Sequence, residues 1–257
     1  MGERDTGDLW GAEARDWAEI QEPTSRPLWA AMLDAVGAGP GVALLDAGCA
    51  AGGASVMAAE RGASVSGVDV AANSVEIARK RVPEADMRVG AVGALPFEDA
   101  RFDAVICVNV IQFVPDAAGG LADLLRVTKP GGRVSVAIFA APEEVDEDAV
   151  FAAIADLLPE RPTFPEYRFS TPGALEAMMR AAGFRDVAHG AVDTPFLYPS
   201  AEIGWRGQRS AGSIQQAIDA VGEDRVRRAV FDAFAGFERP DGSVALHNMM
   251  WFATGAR

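Results

Sequence analysis

Two acids, and a run of small residues after the first, carry the most specific chemistry in this chain. Asp46 closes a short apolar run, Val42–Asp46, and is followed by Ala47-Gly48-Cys49-Ala50-Ala51-Gly52-Gly53. Asp69 stands near the end of the next apolar run, Ala63–Val70. Small residues after a strand let the backbone come close to a ligand at the N-terminus of the following helix. A dinucleotide fingerprint needs Gly-x-Gly-x-x-Gly, whereas this loop reads Gly-Cys-Ala-Ala-Gly-Gly. A carboxylate at Asp46 repels a pyrophosphate and suits an ammonium or a sulfonium. A carboxylate at Asp69 can accept both hydroxyls of a ribose. The two together point to a nucleoside with a positively charged tail and no phosphate. S-adenosylmethionine is such a molecule.

These acids need strand ends to stand on. Strands are expected at Val42–Asp46, Ala63–Val70, Met87–Val89, Phe102–Val108 and Arg133–Phe139, with helices over Ala72–Val82 and Ala117–Thr128. Near-continuous apolar strands separated by helices make a parallel sheet covered on both faces, wound in both directions by right-handed crossovers. Leu9 to Val36 reads as helical, with a break at Pro23 to Pro27. Further helices are expected at Val145–Leu158 and Thr171–Ala182, a turn-rich linker at Pro159 to Pro165, and last strands at Val187–Thr194 and Val244–Thr254. Between those strands, Ser200–Phe237 has room for two or three helices.

Bulk properties narrow the function classes. The 257 residues are 49% hydrophobic and 23% charged, with formal net charge −14. That acidity disfavours nucleic acid and anionic membrane surfaces as partners. Cys49 and Cys107 lie in apolar runs and read as buried small hydrophobes, not a disulfide scaffold. No metal-ligand spacing is present. Met1 to Trp10 lacks an apolar signal core, and no stretch reaches membrane-spanning length, so a cytoplasmic location is expected.

Four ordered segments resemble the motifs of class I S-adenosylmethionine-dependent methyltransferases, and most closely the small-molecule branch that includes the ubiquinone/menaquinone-type, methyltransferase type 11-like enzymes. They are Leu44–Gly53; Gly67-Val68-Asp69; Ala94-Leu95-Pro96-Phe97-Glu98-Asp99 with Arg101-Phe102-Asp103-Ala104-Val105; and Leu125–Arg133. The resemblance implies a doubly wound, mostly parallel, seven-stranded Rossmann-like sheet with an antiparallel last strand. It places Asp46, Gly48, Cys49 and Gly52 at the methionine end, and Asp69 on the ribose. Val70 would pack on the adenine, with Ala91 and Val92 at its edge. Asn109 would lie near the sulfonium, Gln112 at the active-site mouth, and Trp17 on a helix closing over the cofactor. Trp10 and Trp17 read equally as residues of an ordinary docking helix. Two positions depart from the family: Ala50 stands where Gly is usual, and Ala91 where Asp is frequent. Ala50 is strained if its φ is positive.

The expected organisation is an N-terminal helical cap (1–36), a cofactor-binding core (37–197 and 241–257) and a helical lid (198–240). Aromatic and apolar residues of the lid suit a hydrophobic small-molecule acceptor. For a general base the candidates are His247, on the expected last strand, then His189, Glu166 and Tyr167; Gln112 can orient an acceptor but not deprotonate it. The alternatives to methyl transfer are a non-methylating S-adenosylmethionine-binding enzyme that catalyses a cyclisation or rearrangement, and a binding module without activity. Oligomeric state is not legible.

Overall fold

The structure, a computed structural model, describes residues 4–158 and 165–257. The polar reading of Met1–Glu3, and the linker reading over 159–164, lie outside the described residues. Asp5 caps α1 (Thr6–Gly11), accepting the Asp8 N–H at 2.8 Å. The chain continues through α2 (Ala14–Asp16), a π-helical turn Trp17–Gln21 and a 3-10 turn Glu22–Ser25 into α3 (Arg26–Val36). The expected break at the prolines takes the form of this 3-10 turn, after which α3 starts afresh. Pro23 and Pro27 each fall within the first two positions of a helical segment, where no intrahelical N–H is needed.

The central layer alternates strand and helix. It runs β1 (Ala43–Ala47), α4 (Gly53–Glu60), β2 (Ser64–Asp69), α5 (Ala72–Arg81), β3 (Asp86–Val89), β4 (Phe102–Val108), α6 (Ala117–Val127) and β5 (Thr128–Phe139). Then follow α7 (Asp148–Ala155), α8 (Ala174–Ala181), β6 (Arg185–Asp193), β7 (Phe196–Tyr198), α9 (Ala201–Arg209), α10 (Gly212–Val221), α11 (Glu223–Phe234), β8 (Val244–Leu246) and β9 (Met249–Ala256). Seven strands form one sheet in the order β3-β2-β1-β4-β5-β9-β6. The pairs from β3 to β5 are parallel, and β9 is antiparallel to both of its neighbours. The fold is therefore the doubly wound, Rossmann-like α/β sheet expected from the sequence. Its strand order reverses between β1 and β4, which opens a crevice at their carboxyl ends.

Both faces of the sheet are covered, as strands apolar on both sides require. Successive side chains point to opposite faces. Leu44 and Ile106 join Leu28, Met32 and Leu33 of α3 on one side. Leu45 and Val105 join Leu121 and Leu124 of α6 on the other. All of these are fully buried, worth roughly 1.5–3 kcal/mol each.

Three expected elements differ. Thr171–Ala182 is helical only from Ala174, because Gly173 takes a left-handed conformation (φ 79°) just before it. Val145–Leu158 is helical only over Asp148–Ala155, since Val145 bridges to Asn248. Val244–Thr254 is not one strand. β8 pairs with β7 in a separate two-stranded ribbon, and the chain bends at His247-Asn248 before β9 enters the main sheet. Among the described residues, no helix is long and apolar enough to cross a membrane.

Candidate active site

A cavity of about 330 Å³ opens at the carboxyl ends of β1, β2, β4 and β5, at the point where the strand order reverses. The N-terminal helices and the ends of α9 and α10 contribute its cover through Trp10, Trp17, Gln208, Ala211 and Ser213. The fold brings together Trp17, Asp46, Gly48, Cys49, Asp69, Val70, Ala91, Val92, Asn109 and Gln112 along its wall. It does not bring Gly52 or His247 there.

The loop after β1 is shaped by three left-handed residues. Gly48 has φ 86°, and a Cβ there would lie 2.0 Å from Val110 Cγ2. The Gly48 and Cys49 N–H groups both donate to Val68 O, at 2.7 and 3.0 Å. Ala50, the departure noted above, has φ 44°. Its conformation is held by Asp69, whose Oδ2 accepts the Ala50 N–H at 2.9 Å while Oδ1 accepts the Ala71 N–H at 2.8 Å. Gly52 (φ 86°) faces away from the cavity, against Ala78 of α5. Its role is to let α4 start close beside α5. Asn109, just after β4, is also left-handed at φ 53°, a conformation asparagine tolerates better than most residues. Backbone strain of this kind gathers at ligand sites.

The charged side chains that line this end are all acidic. Asp46 is 1% exposed and accepts a 2.7 Å bond from Ser55 Oγ. Burial, with Glu22 and Asp69 nearby, pushes its carboxyl up to about 7. Burial raises Asp69 as well, against the lowering effect of its backbone donors. Glu22 is paired with Arg81, which also donates to Ala51 O (3.1 Å) and Ala18 O (2.9 Å). Burial and the surrounding carboxylates push the Cys49 thiol well up, so it is no nucleophile.

The far end holds residues that the motifs did not indicate. Phe139, Phe151 and Phe196 line it with Glu147, Glu166, Gln208 and Ser213. Glu147 is 2% exposed, and its carboxyl is pushed up to about 8 by burial, aided by repulsion from Glu166. Gln208 Nε2 donates to Glu147 Oε2 (3.0 Å) and to Tyr198 Oη (3.2 Å), and Tyr198 donates to Gln21 Oε1 (2.7 Å). Glu166 is 3% exposed and raised by burial, and its Oε2 has no hydrogen-bond partner among the described residues. Arg168 fixes this segment by donating to Val114 O (2.7 Å) and Pro115 O (3.2 Å). Glu166 was legible as a candidate base. Glu147 reads in sequence only as an acid at the start of a helix, and nothing in its neighbours marks it further.

His247 is placed otherwise than a base requires. Its side chain is 63% exposed and pairs with Asp193 at 3.0 Å. Its backbone N–H donates to Asp146 Oδ2 (2.7 Å), and Asn248 Oδ1 accepts the Glu147 N–H (2.9 Å). The bend between β8 and β9 thus holds Glu147 in place without itself reaching the cavity. His189, on β6, pairs with Glu176 at 2.9 Å, also away from the cavity.

The residues present suit S-adenosylmethionine. Asp69 at the end of β2 and lining acids without a lining cation match a nucleoside with a cationic tail. Among the described residues, no cluster suited to a metal ion occurs.

Comparison with known proteins finds methyltransferases. A family model described as a methyltransferase domain matches residues 45–136. The chain is 32% identical over 204 residues to nocamycin O-methyltransferase of Saccharothrix syringae, covering 70% of this chain and 73% of that protein. It is 39% identical over 111 residues to demethylmenaquinone methyltransferase of Renibacterium salmoninarum, covering 43% of this chain and 47% of that one. The chain thus spans about half the length of the latter relative. Among solved structures, phosphoethanolamine N-methyltransferase 2 of Haemonchus contortus, in complex with S-adenosyl-L-methionine, shares the fold. Its TM-score is 0.64 at 18% identity, over 100% of this chain and 60% of that one.

Proposed function

This chain belongs to the class I S-adenosylmethionine-dependent methyltransferases, and from that premise we propose that it methylates a hydrophobic small molecule of specialised or quinone-like metabolism. One observation carries the reading. The crevice at the strand reversal and the aromatic chamber beneath α9 and α10 form a single cavity, acidic and cradle-like at one end and lined by Phe139, Phe151 and Phe196 at the other.

When bound, S-adenosylmethionine supplies a methyl group activated on a sulfonium. Asp69 would take the ribose while still accepting its two backbone bonds, since a carboxylate has lone pairs for both. Asp46 and the Gly48–Cys49 backbone would face the methionine end, and Val70, Ala91 and Val92 the adenine. Trp17 and the N-terminal helices would cover the site and exclude water. In-line transfer demands alignment of nucleophile, methyl and leaving sulfur. Asn109 and Gln112, which both line the cavity, would orient an acceptor. We propose residues 198–240 as the substrate-side cover.

The test has two parts. Calorimetry should show one S-adenosylhomocysteine site per chain. Incubation with methyl-labelled S-adenosylmethionine and a small-metabolite extract of the source organism should yield labelled organic-soluble product and an equal amount of S-adenosylhomocysteine. Conversion of a metabolite without S-adenosylhomocysteine release would replace transfer with a cyclisation or rearrangement.

A further inference from the structure

The cavity wall contains five carboxyl side chains, Glu22, Asp46, Asp69, Glu147 and Glu166, and no lysine, arginine or histidine among the described residues. Three of them are accounted for at the cofactor end. Asp46 is bonded to Ser55, Asp69 to the loop backbone, and Glu22 is paired with Arg81. Glu147, which accepts from Gln208, and Glu166, which is hydrogen-bonded to Ser213, lie at the aromatic end without a cation beside either in the wall.

A second observation concerns hydrogen bonding. Glu166 Oε2 and Gln112 Oε1 are buried acceptors with no donor among the described residues, on side chains 3% and 1% exposed that line this cavity. Gln112 turns its Nε2 toward Asn109 Oδ1 (3.5 Å), which leaves the carbonyl oxygen for the cavity. Buried acceptors left unmade cost about 1–3 kcal/mol each, so a ligand rich in donors is favoured here. An ammonium offers three donors and no acceptor, where a hydroxyl offers one donor. It also relieves the repulsion between Glu147 and Glu166, which a neutral ligand leaves in place and an anion makes worse. The neighbouring rings add the attraction of an aromatic face for a cation.

We infer that the methyl acceptor carries a basic amine, held by Glu147, Glu166 and Gln112 against Phe139, Phe151 and Phe196. This rests on the reading of the cavity as a methyltransferase site. The charge of the bound ammonium draws the Glu147 carboxyl back to its ionised form, its resident proton leaving to solvent; the ammonium then gives one proton to that carboxylate, which frees the nitrogen lone pair. That pair forms the new N–C bond as the methyl–sulfur bond breaks, and the bonding electrons leave with sulfur. The methylated nitrogen keeps the positive charge until its extra proton is lost to Glu166 or to solvent.

The experiment uses three probes of equal aromatic bulk: 2-phenylethylamine, 2-phenylethanol and phenylacetate. Each is titrated calorimetrically into the whole chain saturated with S-adenosylhomocysteine. Saturation is measured first, and its failure sinks the proposed function rather than this inference. The amine should bind at least tenfold tighter than the alcohol, with no binding of the carboxylate. Glu147→Gln and Glu166→Gln should each reduce that preference at least fivefold while S-adenosylhomocysteine still binds, and His247→Ala, outside the cavity, should not alter it. With S-adenosylmethionine in place, mass spectrometry should find the N-methylated amine. Equal or tighter binding of the alcohol or the carboxylate overturns the inference. So does failure of the amine to bind at 10 mM (about 2.7 kcal/mol at 25 °C), or a preference unchanged in both glutamine variants. If both variants lose S-adenosylhomocysteine, the order of the three probes on the wild-type chain decides.

Discussion

Asp69 has a structural task besides the ribose contact proposed for it. It takes the Ala50 and Ala71 N–H groups, so the cofactor loop keeps its shape only while that carboxylate stands beneath it. Asp69→Ala is therefore expected to act twice. It should weaken S-adenosylhomocysteine binding at least tenfold by calorimetry. It should also lower unfolding stability by about 1–3 kcal/mol for the orphaned donors. Ala50 makes the opposite case. A left-handed alanine costs roughly 1–2 kcal/mol, and glycine's extra chain entropy returns about 0.5–1 kcal/mol of that. Ala50→Gly should therefore stabilise the fold by about 0.5–1 kcal/mol, seen as a higher urea midpoint at unchanged slope. At Gly48 no such exchange is open. Gly48→Ala would drive a Cβ into Val110, and Gly48→Ala with Val110→Ala should recover part of the lost cofactor affinity.

At the scale of elements, the bend between β8 and β9 does the work that a single long strand could not. Asn248 is fully buried and anchors both sides of the bend, taking the Glu147 N–H on its side chain and the Thr194 N–H on its backbone. Asn248→Ala should cost about 1–3 kcal/mol by leaving that buried N–H without an acceptor, and should impair acceptor binding by freeing Glu147. His247→Ala, one residue away and exposed, should change stability by less than about 0.5 kcal/mol and leave methyl transfer intact. Thermal unfolding and turnover of the two variants check the contrast. The same bend explains what the sequence concealed. Val244–Thr254 alternates well enough to read as one strand, and only pairing with β7 and Asp146 shows where it breaks. The strand-end wall of the cavity was legible because Asp46, Asp69 and Asn109 each sit at a strand end next to a recognisable run. The aromatic end draws on Gln21, Glu147, Glu166, Tyr198 and Gln208 from short, unconnected elements. No local spacing links them, so only folding reveals their meeting.

Across the whole molecule, buried acids make stability depend on pH in an unusual direction. Glu147 rises from an ordinary 4.5 to about 8, and Asp46 from 3.8 to about 7. The native state therefore holds protons that the unfolded chain has already released between these limits. Stability is fully present below about pH 4 as far as these two groups are concerned, and falls as pH rises through 7 and 8. Chemical unfolding between pH 5 and 8.5 should show a decline that Glu147→Gln flattens. A carboxylate in an ordinary salt bridge would give the reverse trend. The lining acids and the net charge of −14 act in the same sense: a protein built this way meets cationic and neutral ligands on better terms than anionic ones.

Arg81 has a further consequence. From the last turn of α5, this one guanidinium holds Ala51 O in the cofactor loop, Ala18 O in the π-helical turn and the Glu22 carboxylate. The order of residues 4–25 and the order of the loop are thus coupled through Arg81. By reciprocity, whatever the cofactor gains from a settled N-terminal segment, that segment gains from the cofactor. The resistance of the N-terminal residues to a protease becomes a readout of occupancy: S-adenosylhomocysteine should slow their cleavage in the wild-type chain, and Arg81→Met should erase that protection while the sheet remains folded.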